Sequence, residues 1–504
     1  MFTKEDKEDP VLSHTRESKS ETTTLVGNDK DEAIKFLRDT KTSLLDDEEQ
    51  SKKYPKKLLR KIDWRIMTVL CGSYFLQFLD KNLLNYAGVM GIKKNLKGDE
   101  FANLGTIFYA SYIFAEPLAD YFLQVLPTGK FLAFCIVSWG IVVAAHSACH
   151  TYASLMIVRT LLGIFESSLS PGLIVISSMW YSKSENLQRT GIWVSMAGLS
   201  VIIGGFLSFG FQHVTTDFQS WQIFFLVMGL ITVAFGIFTY FILPNNPTSA
   251  NFLNDDEKII VLEHIRSNQT GTESKTFKIK QIKELLFHDK HTWPLFFLTI
   301  ISMMSTGALG TWSVTIIASF GFTSKIAALV QTPVGAAMIL GSMLQSYICS
   351  YYGKRTLVFI GMCIPAIVAY IILLTTKNRV ANLIAIYMAM FSTSVIGLFY
   401  SWNSANTAGH TKKLARNGLT MIAFSIGSLI GPQLFRDYEK PDYRSAKITL
   451  LVTSIMCIPL AILVGLISKW ENNRKDQKDP VELSSNYEFE DLTDIENPNF
   501  RYAL

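Results

Sequence analysis

Charge is scarce in this chain. Asp, Glu, Lys and Arg make up 18% of its 504 residues, against 49% hydrophobic residues and 34 phenylalanines. A soluble domain carries about a quarter charged residues, so the shortfall points to numerous apolar membrane spans. The six cysteines fall in or beside apolar runs without C-x-x-C spacing, which excludes a disulfide framework and a zinc site. Of the eight histidines, His146, His150 and His410 sit at the ends of apolar runs, where a solvated ring is the ordinary expectation. No nucleophile–base set and no group of metal ligands is visible. A membrane enzyme is therefore disfavoured, and neither a metal nor a cofactor is expected. The net charge of +5 is mild, and no basic cluster interleaved with aromatics lies away from the membrane flanks, so no nucleic-acid partner is implied. Nothing in the first fifty residues resembles a cleavable signal peptide.

What the chain does contain is a series of apolar runs of about 20 residues, the length that crosses a bilayer as a helix. They lie near 66–86, 101–125, 129–148, 152–180, 190–211 and 222–243, and again near 293–318, 326–350, 355–375, 382–404, 415–435 and 447–468. Residues 1–60 read as a disordered tail, 61–243 as one six-helix bundle and 244–292 as a hydrophilic central loop. Residues 293–468 read as a second bundle and 469–504 as a charged tail. Twelve spans put both tails and the central loop on one side. The short loops do not choose that side, with roughly eight Lys/Arg on the tail side and about ten opposite. The basic collar from Ser51 to Arg65, the central segment and Arg474/Lys475 place it in the cytoplasm. The sequon Asn268-Gln-Thr270 would then stay unused.

The halves repeat. L-Q-R-T-G before span five (Leu187 to Gly191) is echoed by L-A-R-N-G before span eleven (Leu414 to Gly418), with the arginines offset by 227 residues (416 − 189). Gly129-Lys130 opens span three and Gly353-Lys354-Arg355 opens span nine, an offset of 224 (353 − 129). Spans five and eleven are both glycine-rich, with Gly198, Gly204 and Gly205 against Gly427 and Gly431, which allows helices to approach closely. Similar offsets at corresponding loops argue for two parallel six-helix repeats with a site between them. The fold expected is an all-α membrane protein of twelve transmembrane helices in two pseudo-symmetric bundles.

Charges inside the spans mark the candidate site. Span four holds Arg159 and Glu166 in its interior, seven residues apart and so on one helical face. A charge at that depth costs roughly 3 kcal/mol on insertion scales. It is tolerated in a structural ion pair or beside an aqueous pathway, and both readings stand at this level. Span one ends F-L-D-K-N-L-L-N-Y, so Asp80, Lys81, Asn82 and Asn85 lie either in a wet loop after an early end or deep in the outer half of the span. The apolar run before them is too short to cross alone, which favours the second reading. Span two carries Tyr109, Tyr112, Glu116-Pro117 and Asp120. Span seven offers Trp312, an apolar wall for a ligand or, as is commoner for a tryptophan there, a packing residue or interfacial anchor. Span ten offers Tyr400, Trp402, Asn403 and Asn406, whose amides must be hydrogen-bonded to a neighbouring helix or to a solute.

D-K-N-L-L-N-Y-A-G-V-M-G-I, R-T-L-L-G-I-F-E-S-S-L-S-P-G and W-N-S-A-N-T-A-G-H-T-K-K together resemble the major facilitator superfamily. Within it they resemble the anion:cation symporters, and more closely the fungal allantoate permease group. The resemblance runs from about Lys61 to Lys469. It implies a proton-driven, alternating-access importer of a small organic anion, such as a vitamin, ureide, sulfonate or amino acid. The coupling protons fall on Asp80 and Glu166, and the cavity is lined mainly by spans one, four, seven and ten. The solute-binding set then comprises Lys81, Asn82, Asn85, Tyr112, Arg159, Trp312, Tyr400, Trp402, Asn403 and Asn406. Two positions depart from the superfamily pattern. The acid usual in the loop after span two is Leu126 here, and its counterpart in the second half is Ser350. Asp120 is placed to supply part of the missing gate charge. A monomer in the plasma membrane is expected, with the endoplasmic reticulum as the alternative location. A nutrient sensor of the same fold, binding solute without moving it, is the competing class. Retention of both acid–base pairs favours transport.

Overall fold

The computed structural model describes residues 56–214, 218–266, 278–439, 442–477 and 493–503, and among them every regular element is a helix. The expectations for the N-terminal tail up to residue 55 and for the sequon at Asn268 lie outside the described residues. The first half contains α1 (Lys56–Met90), α2 (Glu100–Val125), α3 (Thr128–Ala145), α4 (Tyr152–Glu166) with α5 (Leu169–Trp180), α6 (Lys183–Phe211) and α7 (Ser220–Ile242). The central segment contains α8 (Asp255–Arg266) and α9 (Ile279–Phe287), so it is more structured than a loop. The second half contains α10 (Thr292–Ser319), α11 (Ser324–Val330) with α12 (Thr332–Tyr352) and α13 (Arg355–Thr375). It closes with α14 (Arg379–Ser392) and α15 (Ile396–Ala405), α16 (His410–Gln433) and α17 (Arg444–Asp476).

Ten of the spans are long and apolar enough to cross a membrane on those grounds alone. The two that fall short are α1 and α2, which carry Asp80, Lys81, Glu116 and Asp120. At 35 residues, α1 is about 50 Å long. It outruns a hydrocarbon core of about 30 Å, so its basic first turns project beyond the bilayer while Asp80 to Asn85 stay inside a continuous helix.

Three spans are interrupted rather than continuous. Span four breaks directly after Glu166, where Ser167 and Ser168 donate their hydroxyls back to the carbonyls of Ile164 and Phe165. Such back-bonding satisfies backbone groups at a bend, and Pro171 follows. Span ten breaks at a short 3-10 turn, Thr393–Val395. Span eight breaks at Gln331, between α11 and α12. Discontinuous helices in a transporter line its solute site.

The repeat seen in the sequence is also a repeat of ion pairs. Arg189, before span five, holds Asp63 at the start of span one through Nε (2.7 Å) and Nη2 (2.9 Å). Its counterpart Arg416 holds Asp289, just before span seven, through Nη2 at 2.6 Å. The halves meet along α6 and α12, where a side chain on Gly198 would come within 2.5 Å of the Gly335 carbonyl oxygen. Gly427 and Gly431 instead press against α10, and Gly204 against α1, each within its own half.

Strict alternation puts the chain ends and the central segment at one end of the molecule. At the opposite end polar contacts join the halves. Asn85 donates to Ser313 (2.8 Å) and accepts from the Val314 amide (3.1 Å). Gln433 donates to Asn103 and Thr106, each at 2.9 Å. Arg436 reaches Asp99 at 3.2 Å.

Candidate functional site

Below that closed end lies a central cavity with about 60 Å³ of free space. Its walls come from both halves: Phe78, Lys81, Asn82 and Leu84 of α1, Gly105, Phe108 and Tyr109 of α2, Arg159 of α4 and Val201 of α6. The second half adds Thr306, Gly310 and Thr311 of α10, Met338, Met390, Thr393 and Phe424. One water needs about 10–15 Å³ by this measure. The cavity therefore takes only a few heavy atoms until the halves separate.

The charged side chains divide in a way that helical spacing did not reveal. Glu166, fully buried, pairs with Lys81 at 3.1 Å and not with Arg159 on its own helical face. The Lys81 ammonium also lies 5.2, 5.6 and 5.5 Å from the ring centres of Phe78, Phe108 and Tyr112. These aromatic faces favour a cation where water is excluded. Arg159 is 3% exposed, lines the cavity, and has a buried Nη2 without a hydrogen-bond partner. Its guanidinium lies 5.7 Å from the Phe225 ring centre.

Asp80 turns away from the cavity into the first half. Its Oδ2 accepts from Trp139 Nε1 at 2.7 Å and from Thr232 Oγ1 at 3.3 Å, tying α1 to α3 and α7. Asn82 lines the cavity and donates to the Phe78 carbonyl at 2.8 Å.

The remaining solute-binding candidates lie outside the cavity lining, and in most cases a protein partner accounts for their polarity. Asn85 belongs to the closed-end junction described above. Tyr112 packs beside Lys81. Trp312 stacks on Phe435 at 5.6 Å and carries Lys93 over its face at 4.5 Å. Tyr400 donates to Met421 Sδ. Trp402 is buried beside Phe359. Asn403 donates to Thr420 (2.7 Å) and Asn417 (3.2 Å). Asn406 exchanges two hydrogen bonds with the backbone of Ala503, at 3.1 and 2.7 Å, and so anchors the end of the chain.

The second half instead presents Thr306, Thr311 and Thr393 to the cavity. Thr311 directly precedes Trp312, and one residue is a 100° rotation on a helix, which separates cavity from packing there. Thr393 lies in the 3-10 break of span ten, whose position no residue pattern advertised. Asp120 faces the other half, its Oδ2 lying 3.8 Å from where a Gly418 side chain would begin.

At the chain-end face a second cluster forms. Lys412, inaccessible to solvent, meets Asp494 at 2.7 Å, Glu284 at 2.8 Å and Asp289 at 3.3 Å. Burial would raise the Asp289 pKa, but Arg416, the hydrogen bond from His291 and Lys412 together hold it well below the usual carboxylate range.

Residues 70–432 match the Major Facilitator Superfamily. The chain is 52% identical over 449 residues to a thiamine pathway transporter, THI73, of Saccharomyces cerevisiae, covering 88% of this chain and 86% of that one. It is 32% identical over 518 residues to the allantoate permease of the same yeast, covering 98% and 94%. Among solved structures it resembles a bacterial homolog of the human lysosomal transporter Spinster in an inward-facing, unoccupied conformation. That match has a TM-score of 0.63 at 15% identity, over 86% of this chain and all of that one, and it speaks to the fold. Twelve spans in two repeats, a charged cavity between them and this kinship agree: the chain is a multi-pass membrane transporter that belongs to the Major Facilitator Superfamily, in its fungal allantoate permease group.

Proposed function

We propose that the protein imports a small organic anion together with protons by alternating access. One observation carries this reading: Arg159 faces the cavity with an unpartnered nitrogen while the nearby carboxylate of Glu166 is taken by Lys81. A buried guanidinium with a free donor is a planar, bidentate match for a carboxylate or sulfonate. Lys81, Arg159, Asp80 and Glu166 sum to no net charge when all are ionised. Protonating one acid leaves one positive charge at the centre, which an incoming anion neutralises. Anion and proton therefore favour each other's binding, the requirement of symport. Asp80 and Glu166 are the coupling acids in this reading, with Asn82 and the cavity threonines orienting the solute.

The name of the relative at 52% identity makes thiamine the cation to include in any screen. A cationic cargo would lie against both Lys81 and Arg159, at a like-charge cost that grows as water leaves. A vitamin, ureide, sulfonate or amino acid with a free acidic group fits the charges better. In this reading the protein is a monomer in the plasma membrane with both termini in the cytoplasm. That orientation makes the closed end the outer one.

Uptake of labelled carboxylates, sulfonates, amino acids and thiamine into vesicles under an imposed pH gradient tests the reading. Accumulation of an anion should fall as external pH rises between about 4.5 and 7.5 and collapse with a protonophore. A flat pH profile with protonophore-insensitive accumulation would point to a facilitator or exchanger. Binding without any uptake would point to a sensor.

A further inference from the structure

Glu116 is a buried acid that the mechanism above leaves unused. It is 1% exposed, it lies in the middle of α2, and both of its carboxyl oxygens lack a hydrogen-bond partner. The lipid-facing positions of that helix are Phe114, Leu118 and Tyr121, so Glu116 points inward. Tyr112, one turn earlier on the same face, packs against the Lys81 ammonium. Asp120, one turn later, faces α16 of the other half. The charged and titratable groups near enough to act on Glu116 electrostatically are Lys81 from α1, Tyr400 from α15, and Asp120 and Tyr112 from its own helix.

One ammonium therefore serves two buried carboxyls. Lys81 pairs with Glu166 at 3.1 Å, which leaves Glu116 without a cation in contact. An ionised carboxylate buried in that way is costly enough that it takes up a proton instead. We propose that Glu116 is a second proton-carrying group of the transport cycle that shares Lys81 with Glu166. The ammonium pairs with whichever carboxyl is ionised, and the other holds the proton. When Glu166 takes up a proton, its hold on Lys81 is lost. The centre then carries the one positive charge that draws the anion. Once the anion has left, the ammonium turns toward Glu116, whose proton departs past Asp120 toward the chain-end side. One proton enters at Glu166 with the anion and one leaves at Glu116 after it, so the buried charge is balanced at each stage. This inference rests on the proton-coupled reading above and adds an exit to it.

Infrared difference spectroscopy of the reconstituted full-length protein reads the sharing directly. At neutral pH the wild type should show a protonated-carboxyl band that is missing in Glu116→Gln. The same band should disappear in Glu166→Gln, because Lys81 then ionises Glu116. A band that Glu166→Gln leaves in place, or that Glu116→Gln does not remove, overturns the sharing. In transport, Glu116→Gln should slow gradient-driven accumulation severalfold or more, with counterflow exchange less affected. Accumulation with the wild-type pH profile overturns the role. If Glu116→Gln fails to reach the membrane, Glu116→Asp keeps a titrating group, and its accumulation should show a shifted pH optimum; an unshifted optimum overturns the role equally. Wild-type uptake that ignores the pH gradient would instead bring down the proton-coupled reading, and the exit with it, whatever the infrared band shows.

Discussion

Lys81 and Glu166 form the buried ion pair at the centre of the molecule, 3.1 Å apart and contributed by spans one and four. Breaking a buried pair from one side leaves an uncompensated charge, at a cost of about 3–5 kcal/mol. Lys81→Gln should therefore lower the thermal midpoint in detergent, and adding Glu166→Gln should recover most of the loss. Glu166→Gln alone should abolish gradient-driven accumulation while leaving counterflow exchange partly intact. Concentrative uptake by that variant at wild-type expression would remove Glu166 from coupling.

Arg159→Lys separates geometry from charge. An ammonium keeps the positive charge but loses the planar fork that donates two hydrogen bonds to a carboxylate. Charge-assisted hydrogen bonds contribute about 1.5–3 kcal/mol, so losing one should weaken solute binding by roughly tenfold or more. Direct binding measurements on purified protein check this. Unchanged affinity would make Arg159 a packing residue and remove the observation that carries the anion reading.

Much of this was legible in the residues, for physical reasons that also explain what was not. Apolar run length alone locates ten of the spans because a bilayer sets a fixed thickness, while the charges of α1 and α2 keep those two below that criterion. The repeated L-x-R-x-G loops mark the two halves, and their arginines make related contacts, Arg189–Asp63 and Arg416–Asp289, whose partners the repeat does not name. The charges were singled out because so few occur at membrane depth, and Lys81 and Arg159 do line the cavity. Partner choice was not legible. Seven-residue spacing put Arg159 and Glu166 on one face, yet the pair forms between α4 and α1, and helix-to-helix distances leave no mark in one chain's spacing. The amides of spans one and ten misled for a related reason. A buried amide must bond to something, and the sequence does not say whether that is solute, the facing helix at Asn85, or the end of the chain at Asn406.

The two repeat-related ion pairs should differ in strength. Asp289 is 2% exposed beside Arg416, whereas Asp63 is 34% exposed beside Arg189. Arg416→Ala should cost about 3–5 kcal/mol and Arg189→Ala about 1 kcal/mol or less. Because the Asp289 pKa is held below its unfolded value, its contribution is complete above about pH 4. It is lost only as pH falls further toward the folded value. Thermal midpoints of the two variants at neutral pH and near pH 4 check both statements. Equal losses from the two alanine variants would show that burial does not separate them.

The end of the chain is built into the protein. Asp494 is fully buried against Lys412, accepts from Tyr502 at 2.8 Å, and receives the Ala408 amide at 3.2 Å. Tyr502 stacks on His291 and exchanges two hydrogen bonds with Asn472. Asn406 holds Ala503 from the short connection between spans ten and eleven. Removing residues 493–504 would strip Lys412 of one of three carboxylate partners and leave the Asn406 amide unpaired. Each buried polar group stripped of its partner costs about 1–3 kcal/mol, so the truncated protein should melt at a lower temperature than the full chain. Asp494→Asn, which keeps the shape and removes the charge, should account for only part of that loss, because Asn406 and Asn472 would keep their partners. Thermal unfolding of the three proteins in the same detergent makes the comparison. A truncated protein that melts with the full chain would mean that the docked segment contributes nothing to the stability of this face.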